Sequence, residues 1–205
     1  PVSELAAGEQ LFEEMELGGI VNFIAFRQAV AGYNRIKEKS KPILTLIDFS
    51  KPSTEKRFFV FDMEKKQLLY SSVVSHGRNS GENYATSFSN QNGSYKSSLG
   101  FYLTENTYQG GNGYSLILNG LEKGINDKAK ERSIVVHGAS YANPTVAASG
   151  RLGRSLGCPA LPTKLAKPII NTIKDGSVMF IYANNSSYLA QSDILKNVSA
   201  PMPAL

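Results

Sequence analysis

Residues 43–76 read ILTLIDFSKPSTEKRFFVFDMEKKQLLYSSVVSH, and the fold class turns on them. Three short runs, Ile43 to Phe49, Arg57 to Asp62 and Gln67 to His76, are rich in β-branched and aromatic residues, and the charged turn Met63 to Lys66 joins the last two. That pattern predicts strands, two of them in a hairpin. Working outward toward the C-terminus, strands are expected at Leu99 to Thr104, Tyr114 to Leu118, Arg132 to His137 and Ser177 to Ala183. A charged helix is expected from about Leu121 to Lys130. Another is expected to start near Pro168, where a first-turn proline gives up no internal hydrogen bond, and to stop at Gly176. Toward the N-terminus, Phe23, Phe26, Val30, Tyr33 and Ile36 recur at spacings of three and four and share one helix face. A shorter helix, Leu5 to Met15, precedes it across the Gly18-Gly19 break. Hairpins outnumber strand-helix alternations, so the expected body is mainly β (α+β), largely antiparallel, with helices attached.

The length of 205 residues favours one core. The expected division is a helical segment over 1–40 packed on the body, a main domain over 41–185 and a polar, proline-containing tail over 186–205. With 41% apolar and 19% charged residues the chain is expected to fold. A net charge of +5 suits an acidic partner. The basic groups Arg35 to Lys41, Lys128 to Arg132 and Lys164 to Lys174 have no aromatic strip among them, which argues against nucleic acid and reads as solvated faces. One cysteine and two histidines exclude an internal disulfide and disfavour a structural metal. No apolar run reaches the roughly 18 residues a membrane span needs. The chain starts at Pro1, consistent with a removed export signal, and it is expected to be monomeric.

Two segments carry chemistry. Gly77 to Ser98 is almost entirely Ser, Asn, Gly and Tyr, as suits a functional surface loop. Gly138 to Gly157 is mostly Gly, Ala and Ser and ends at Cys158. A free cysteine is commonly a small buried hydrophobe. Cys158, however, sits in a turn, Gly153-Arg154-Ser155-Leu156-Gly157-Cys158-Pro159, with Arg151 nearby. A cationic setting there lowers a thiol's pKa and favours the nucleophilic thiolate. His137 ends an apolar strand beside the same loop and can accept the thiol proton and return it to a leaving amine. His76, at another strand end, either faces the same cleft or is structural. The tyrosines, Tyr102 among them, either pack or stack on a glycan or peptide.

His137-Gly138-Ala139 followed by Ser155-Leu156-Gly157-Cys158, the serine eighteen residues past the histidine, resembles the active-site signature of the YkuD-type L,D-transpeptidases of peptidoglycan. Ser75 to Arg78, Phe88 to Asn90, Ser97 to Tyr102, Gly113 to Leu116, Asn119 to Leu121 and Gly150 to Leu161 extend the resemblance to the murein L,D-transpeptidase catalytic domain family, over roughly residues 20 to 185. The resemblance implies a barrel-like or sandwich-like β catalytic fold with a helix after the cysteine, no cofactor, export to the periplasm or cell envelope, and a peptidoglycan stem-peptide substrate. It makes Cys158 the nucleophile and His137 its base, with the Gly138 carbonyl orienting the imidazole. The N–H groups of Gly157 and Cys158 become candidates for an oxyanion hole, and Ser155 a brace of the loop or a substrate contact.

The chain departs from the common signature at Leu156, Pro159 and Ala160, and lacks the basic or amide residue usual two places past the cysteine. Arg151 or Arg154 is the expected substitute, as a carboxylate clamp; His76 and Tyr102 join them as expected substrate contacts. The implied reaction is acyl exchange through a thioester. Two alternatives stand beside it, an L,D-carboxypeptidase with water as acceptor and a non-catalytic wall-binding module.

Overall fold

The computed structural model describes residues 4–198. Two helices come first, α1 (Glu4–Glu14) and α2 (Phe23–Arg35). Asn22 caps α2, its side chain accepting from the N–H groups of Ile24 at 3.0 Å and Ala25 at 3.2 Å, a contact worth about 1 kcal/mol. Phe26, Val30 and Tyr33 are buried as their spacing predicts, whereas Phe23 stays 39% exposed and packs edge-on against Phe12. Gly32 is where α2 meets the sheet most closely: a Cβ there would lie 2.0 Å from the Phe101 ring.

The strands are β1 (Ile43–Asp48), β2 (Phe58–Asp62), β3 (Gln67–Ser72), β4 (Gly100–Gly110), β5 (Gly113–Gly120), β6 (Val135–Gly138), β7 (Ala160–Leu161) and β8 (Val178–Tyr182). They form one sheet in the order β3-β2-β1-β8-β4-β5-β6-β7. Among the described residues, five of the seven pairings are antiparallel; β1 with β8 and β6 with β7 are parallel. The sheet curls until its edges meet. Beyond β3, Ser75 bridges Ala160 of β7 and Gly77 bridges Ser155, so the mixed sheet is a nearly closed barrel. Every residue of β1 and β8 is buried. That is why both read as continuous apolar runs, the mark of strands covered on both faces. Phe101 and Phe180 stack at 4.2 Å at the centre of the core.

Two helix expectations need correction. Residues 121–133 form a chain of turns, because their side chains compete for the backbone. Asn126 accepts from the Glu122 N–H and donates to the carbonyls of Leu99 and Phe101, while Asp127 accepts from the Gly124 N–H. The last long helix, α3 (Thr163–Ile173), starts five residues before Pro168, so the proline lies inside it. After β8 a short helix, α4 (Ser186–Gln191), buries Tyr188, and Leu195 and Val198 also reach the core. The part of the tail beyond residue 198 lies outside the described residues. The Glu122 carboxylate ties α4 down, accepting from the Phe101 N–H, the Tyr188 hydroxyl and the Ser192 hydroxyl.

Candidate active site

The hydrogen bonds that close the barrel also assemble the site. β6 and β7 run parallel with His137 opposite Ala160, so counting back along both chains sets Val135 beside Cys158. The sulfur lies against the backbone of the β6 entrance, accepting from the Val135 N–H at 3.4 Å and donating to the Ser133 carbonyl at 3.5 Å. A carbonyl can only accept, so the sulfur carries its proton in this arrangement. Burial raises the pKa of the half-buried Cys158 thiol, opposed by the Val135 N–H and the positive charge of Arg132. Ser133 adopts φ 56°, in the left-handed region, to present its carbonyl there. A cavity of about 260 Å³ is lined by Tyr108, Ile117, Lys130, Ile134 and the two residues whose backbones meet the sulfur, Ser133 and Val135.

His137 is 3% exposed, and its Nδ1 lies 2.9 Å from the Gly138 carbonyl oxygen. Since the carbonyl must accept, Nδ1 holds the ring proton and Nε2 is left with its lone pair. Gly138 has to be small because a Cβ there would meet the Ala166 Cβ of α3 at 2.9 Å.

Ser155 locks the loop, its hydroxyl donating to the Cys158 carbonyl at 2.6 Å and accepting from the Gly157 N–H at 3.1 Å. The Gly157 N–H is engaged by that hydroxyl; the Cys158 N–H has no acceptor among the described residues. Gly157 itself sits at φ 125°, and a Cβ there would come within 2.9 Å of both Ile134 Cδ1 and the Lys96 carbonyl oxygen. Only glycine fits without strain.

The other expected contacts turn out differently. His76 is 1% exposed; its Nδ1 accepts from Arg57 Nη2 at 2.8 Å and its Nε2 donates to the Gly81 carbonyl at 3.0 Å. Burial and then the Arg57 charge lower its pKa to about 4, and it presents no surface to a substrate. Tyr102 is fully buried with its hydroxyl on the Ser98 carbonyl, which excludes it as a substrate contact in this conformation. Arg151 and Arg154 both pair with Glu82, at 3.0 and 3.2 Å, and Arg154 also donates to the carbonyls of Arg78 and Gly81. They tie the 77–98 loop to the 150–158 loop.

The residue that the sequence reading passed over is Arg132. Grouped there with a solvated basic face, it is half-buried and donates to the carbonyls of Ser89 and Lys96 and to the hydroxyls of Ser94 and Ser98. Its only sequence signal is its place at the start of the apolar run that ends on His137. Among the described residues no three His, Cys, Asp or Glu side chains gather as metal ligands, and no helix is long and apolar enough to cross a membrane.

No curated protein matches the chain. Solved structures do. An L,D-transpeptidase from Mycobacterium smegmatis is 13% identical with a TM-score of 0.42, the match covering 69% of this chain and 59% of that one. L,D-transpeptidase 3 of Mycobacterium tuberculosis is 14% identical at 0.44, covering 69% and 61%. An L,D-transpeptidase of Stackebrandtia nassauensis is 14% identical at 0.41, covering 89% and 79%. The match thus spans about three fifths of the two mycobacterial chains. The sequence profile of the L,D-transpeptidase catalytic domain matches residues 19–182, four fifths of the chain: the chain belongs to the L,D-transpeptidase catalytic domain family.

Proposed function

We propose that this protein is a cysteine-dependent L,D-transpeptidase that is exported to the cell envelope and acts on peptidoglycan stem peptides. The observation that carries the reading is the fixed tautomer of His137. With Nδ1 donating to the Gly138 carbonyl, Nε2 is the ring atom able to take a proton, and the thiol lies at the entrance to the same strand with its proton still on.

In this reading Nε2 removes the Cys158 proton and the thiolate attacks the carbonyl carbon of the L,D-peptide bond. The charge on the carbonyl oxygen is met by the Cys158 N–H. When the C–N bond breaks, the imidazolium returns its proton to the leaving amine of the terminal D-residue, and a thioester remains. An acceptor amine then attacks the thioester, loses its proton to Nε2, and displaces the thiolate, which is reprotonated. The high resting pKa of the thiol fits this scheme. A nucleophile that donates to Ser133 at rest needs a base, and on ionisation it exchanges an attractive contact with that carbonyl for a repulsive one while keeping the Val135 N–H.

The test is incubation of the purified protein with a tetrapeptide muropeptide, read by mass spectrometry. Cross-linked dimer with released D-residue supports transpeptidation, tripeptide and D-residue without dimer makes the protein a carboxypeptidase, and no turnover overturns the catalytic reading. Cys158→Ser is expected to lower the rate by several orders of magnitude while the fold persists. His137→Ala is expected to remove thiol activation with binding retained.

A further inference from the structure

We infer that Arg132 is a positioning residue for the nucleophile, holding an unneutralised positive charge at the Cys158 loop while it fastens the 89–98 segment over that loop. The inference rests on the cysteine mechanism proposed above and adds the group that keeps the thiolate.

Geometry gives the first support. The Arg132 guanidinium abuts the residue before the nucleophile, with Nη2 3.3 Å from the position a Cβ would take on Gly157. Its η nitrogens hold four acceptors of the 89–98 segment at 2.7 to 3.1 Å. A guanidinium carries four hydrogens on those nitrogens, so all are used and the group cannot swing away. The Lys96 carbonyl that Arg132 holds is also the one packed against Gly157. One side chain therefore fixes both its own position and the wall that the nucleophile loop rests on.

Charge gives the second. Arg27, Arg35, Arg151 and Arg154 each meet a glutamate, the buried Arg57 is supported by the charge of Asp48, and Arg78, which has no ion pair either, is exposed to solvent over the Tyr95 ring. Arg132 is ion-paired with no carboxylate among the described residues, and burial lowers its own pKa. A staple made only for structure would gain from a carboxylate partner or from neutral donors. A partly desolvated cation held on carbonyls and hydroxyls is stabilised further when an anion forms nearby, and the anion the site forms is the Cys158 thiolate. The coupling is mutual: Arg132 favours the ionised thiol, and the ionised thiol favours charged Arg132. Other ionisable groups on the elements packed here are His137, two residues along β6 from the Val135 that meets the sulfur, Tyr141 in the loop after it and Lys130, which lines the neighbouring cavity and is paired with Glu105.

The test reads the thiol without any substrate, so it stands apart from the question of transpeptidation. The chain has a single cysteine, and iodoacetamide alkylation of Cys158 followed by intact mass across pH 6 to 10 reports its thiolate directly. Arg132→Met is expected to slow alkylation at pH 7 by about threefold to tenfold and to move the profile to higher pH, while Arg132→Lys recovers most of the rate. Glu82→Gln, which frees Arg151 and Arg154 without touching Arg132, is expected to leave the profile in place. An Arg132→Met protein with native circular dichroism and an unmoved profile overturns the inference, as does a Lys variant as slow as the Met variant. Should Arg132→Met not fold, Arg132→Gln keeps hydrogen-bond donors without the charge, and the same two outcomes apply to it. Alkylation that behaves as expected in a protein that forms no cross-link would sink the transpeptidase reading alone.

Discussion

Acidification is expected to destabilise this protein through His76 well before its carboxylates are fully protonated. In the folded chain the ring is buried, accepts from Arg57 and has a pKa of about 4; in the unfolded chain it returns to 6.5. The unfolded state therefore binds a proton that the folded state refuses, and stability present above pH 6.5 is lost as pH falls toward 4. A difference of 2.5 pKa units at 1.36 kcal/mol per unit is a total of about 3 kcal/mol. About 2 kcal/mol of it is gone by pH 5, where the unfolded ring is almost fully protonated and the folded one almost fully neutral. Urea unfolding at pH 7 and pH 5, compared between the wild type and His76→Asn, isolates this group. Its readout is the pH slope, so it does not matter that the variant starts less stable. Glu122, whose carboxyl burial raises, works in the opposite direction in both proteins and cancels in the comparison. With only two histidines in the chain, NMR of the ring protons checks the cause directly. A folded-state titration of His76 near 6.5, or a variant that loses as much stability as the wild type between pH 7 and pH 5, refutes the reasoning.

Two further substitutions test the local geometry. Gly157→Ala, forced to φ 125° with its Cβ 2.9 Å from Ile134 and the Lys96 carbonyl, is expected to cost about 1–3 kcal/mol in chemical denaturation and to slow Cys158 alkylation, because the strain falls on the turn that carries Cys158. Pro168→Ala is expected to raise the melting temperature. Pro168 withholds an N–H from the interior of α3, and restoring that bond is worth more than the roughly 0.4–1 kcal/mol of unfolded-state restriction that is lost.

What the sequence made legible follows from how local each signal is. Strand runs whose side chains are buried on both faces, such as Val178–Tyr182, carry their own pattern and were readable; so were the two helices ahead of the sheet. The two-residue β7 was not, since Ala160 and Leu161 are strand only because Ser75 and His137 flank Ala160 from either side. The turns at 121–133 read as a helix because the side chains that undo it, Glu122 and Asn126, reach backbone about 20 to 30 residues away. In the candidate site, Cys158, His137 and Ser155 are marked in the sequence by their spacing and small neighbours, and the fold brings their segments together. Arg132 could not: its neighbours in sequence are charged and polar, and its acceptors lie 34 to 43 residues away. A glycine-punctuated loop offers Arg151 and Arg154 nothing to pack on, which is why the sequence points them toward substrate. The sequence gives no sign that Glu82 is their partner.

The two histidines show how the same side chain is assigned opposite work by its partners. Each stands just beyond or within a strand next to Ala160, His76 after the Ser75 bridge and His137 in β6. Arg57 donates to Nδ1 of His76, so that ring keeps its proton on Nε2 and gives it to the Gly81 carbonyl. With its lone pair held by a buried cation, His76 has no basic atom to offer. At His137 the partner is a carbonyl, the proton sits on Nδ1, and Nε2 keeps its lone pair. Arg57 beside His76 also opposes protonation of that ring. Exchanging the two environments would exchange the roles. In the proposed mechanism the base is therefore chosen by which histidine faces an acceptor and which a cation, a distinction that neither residue's immediate sequence contains.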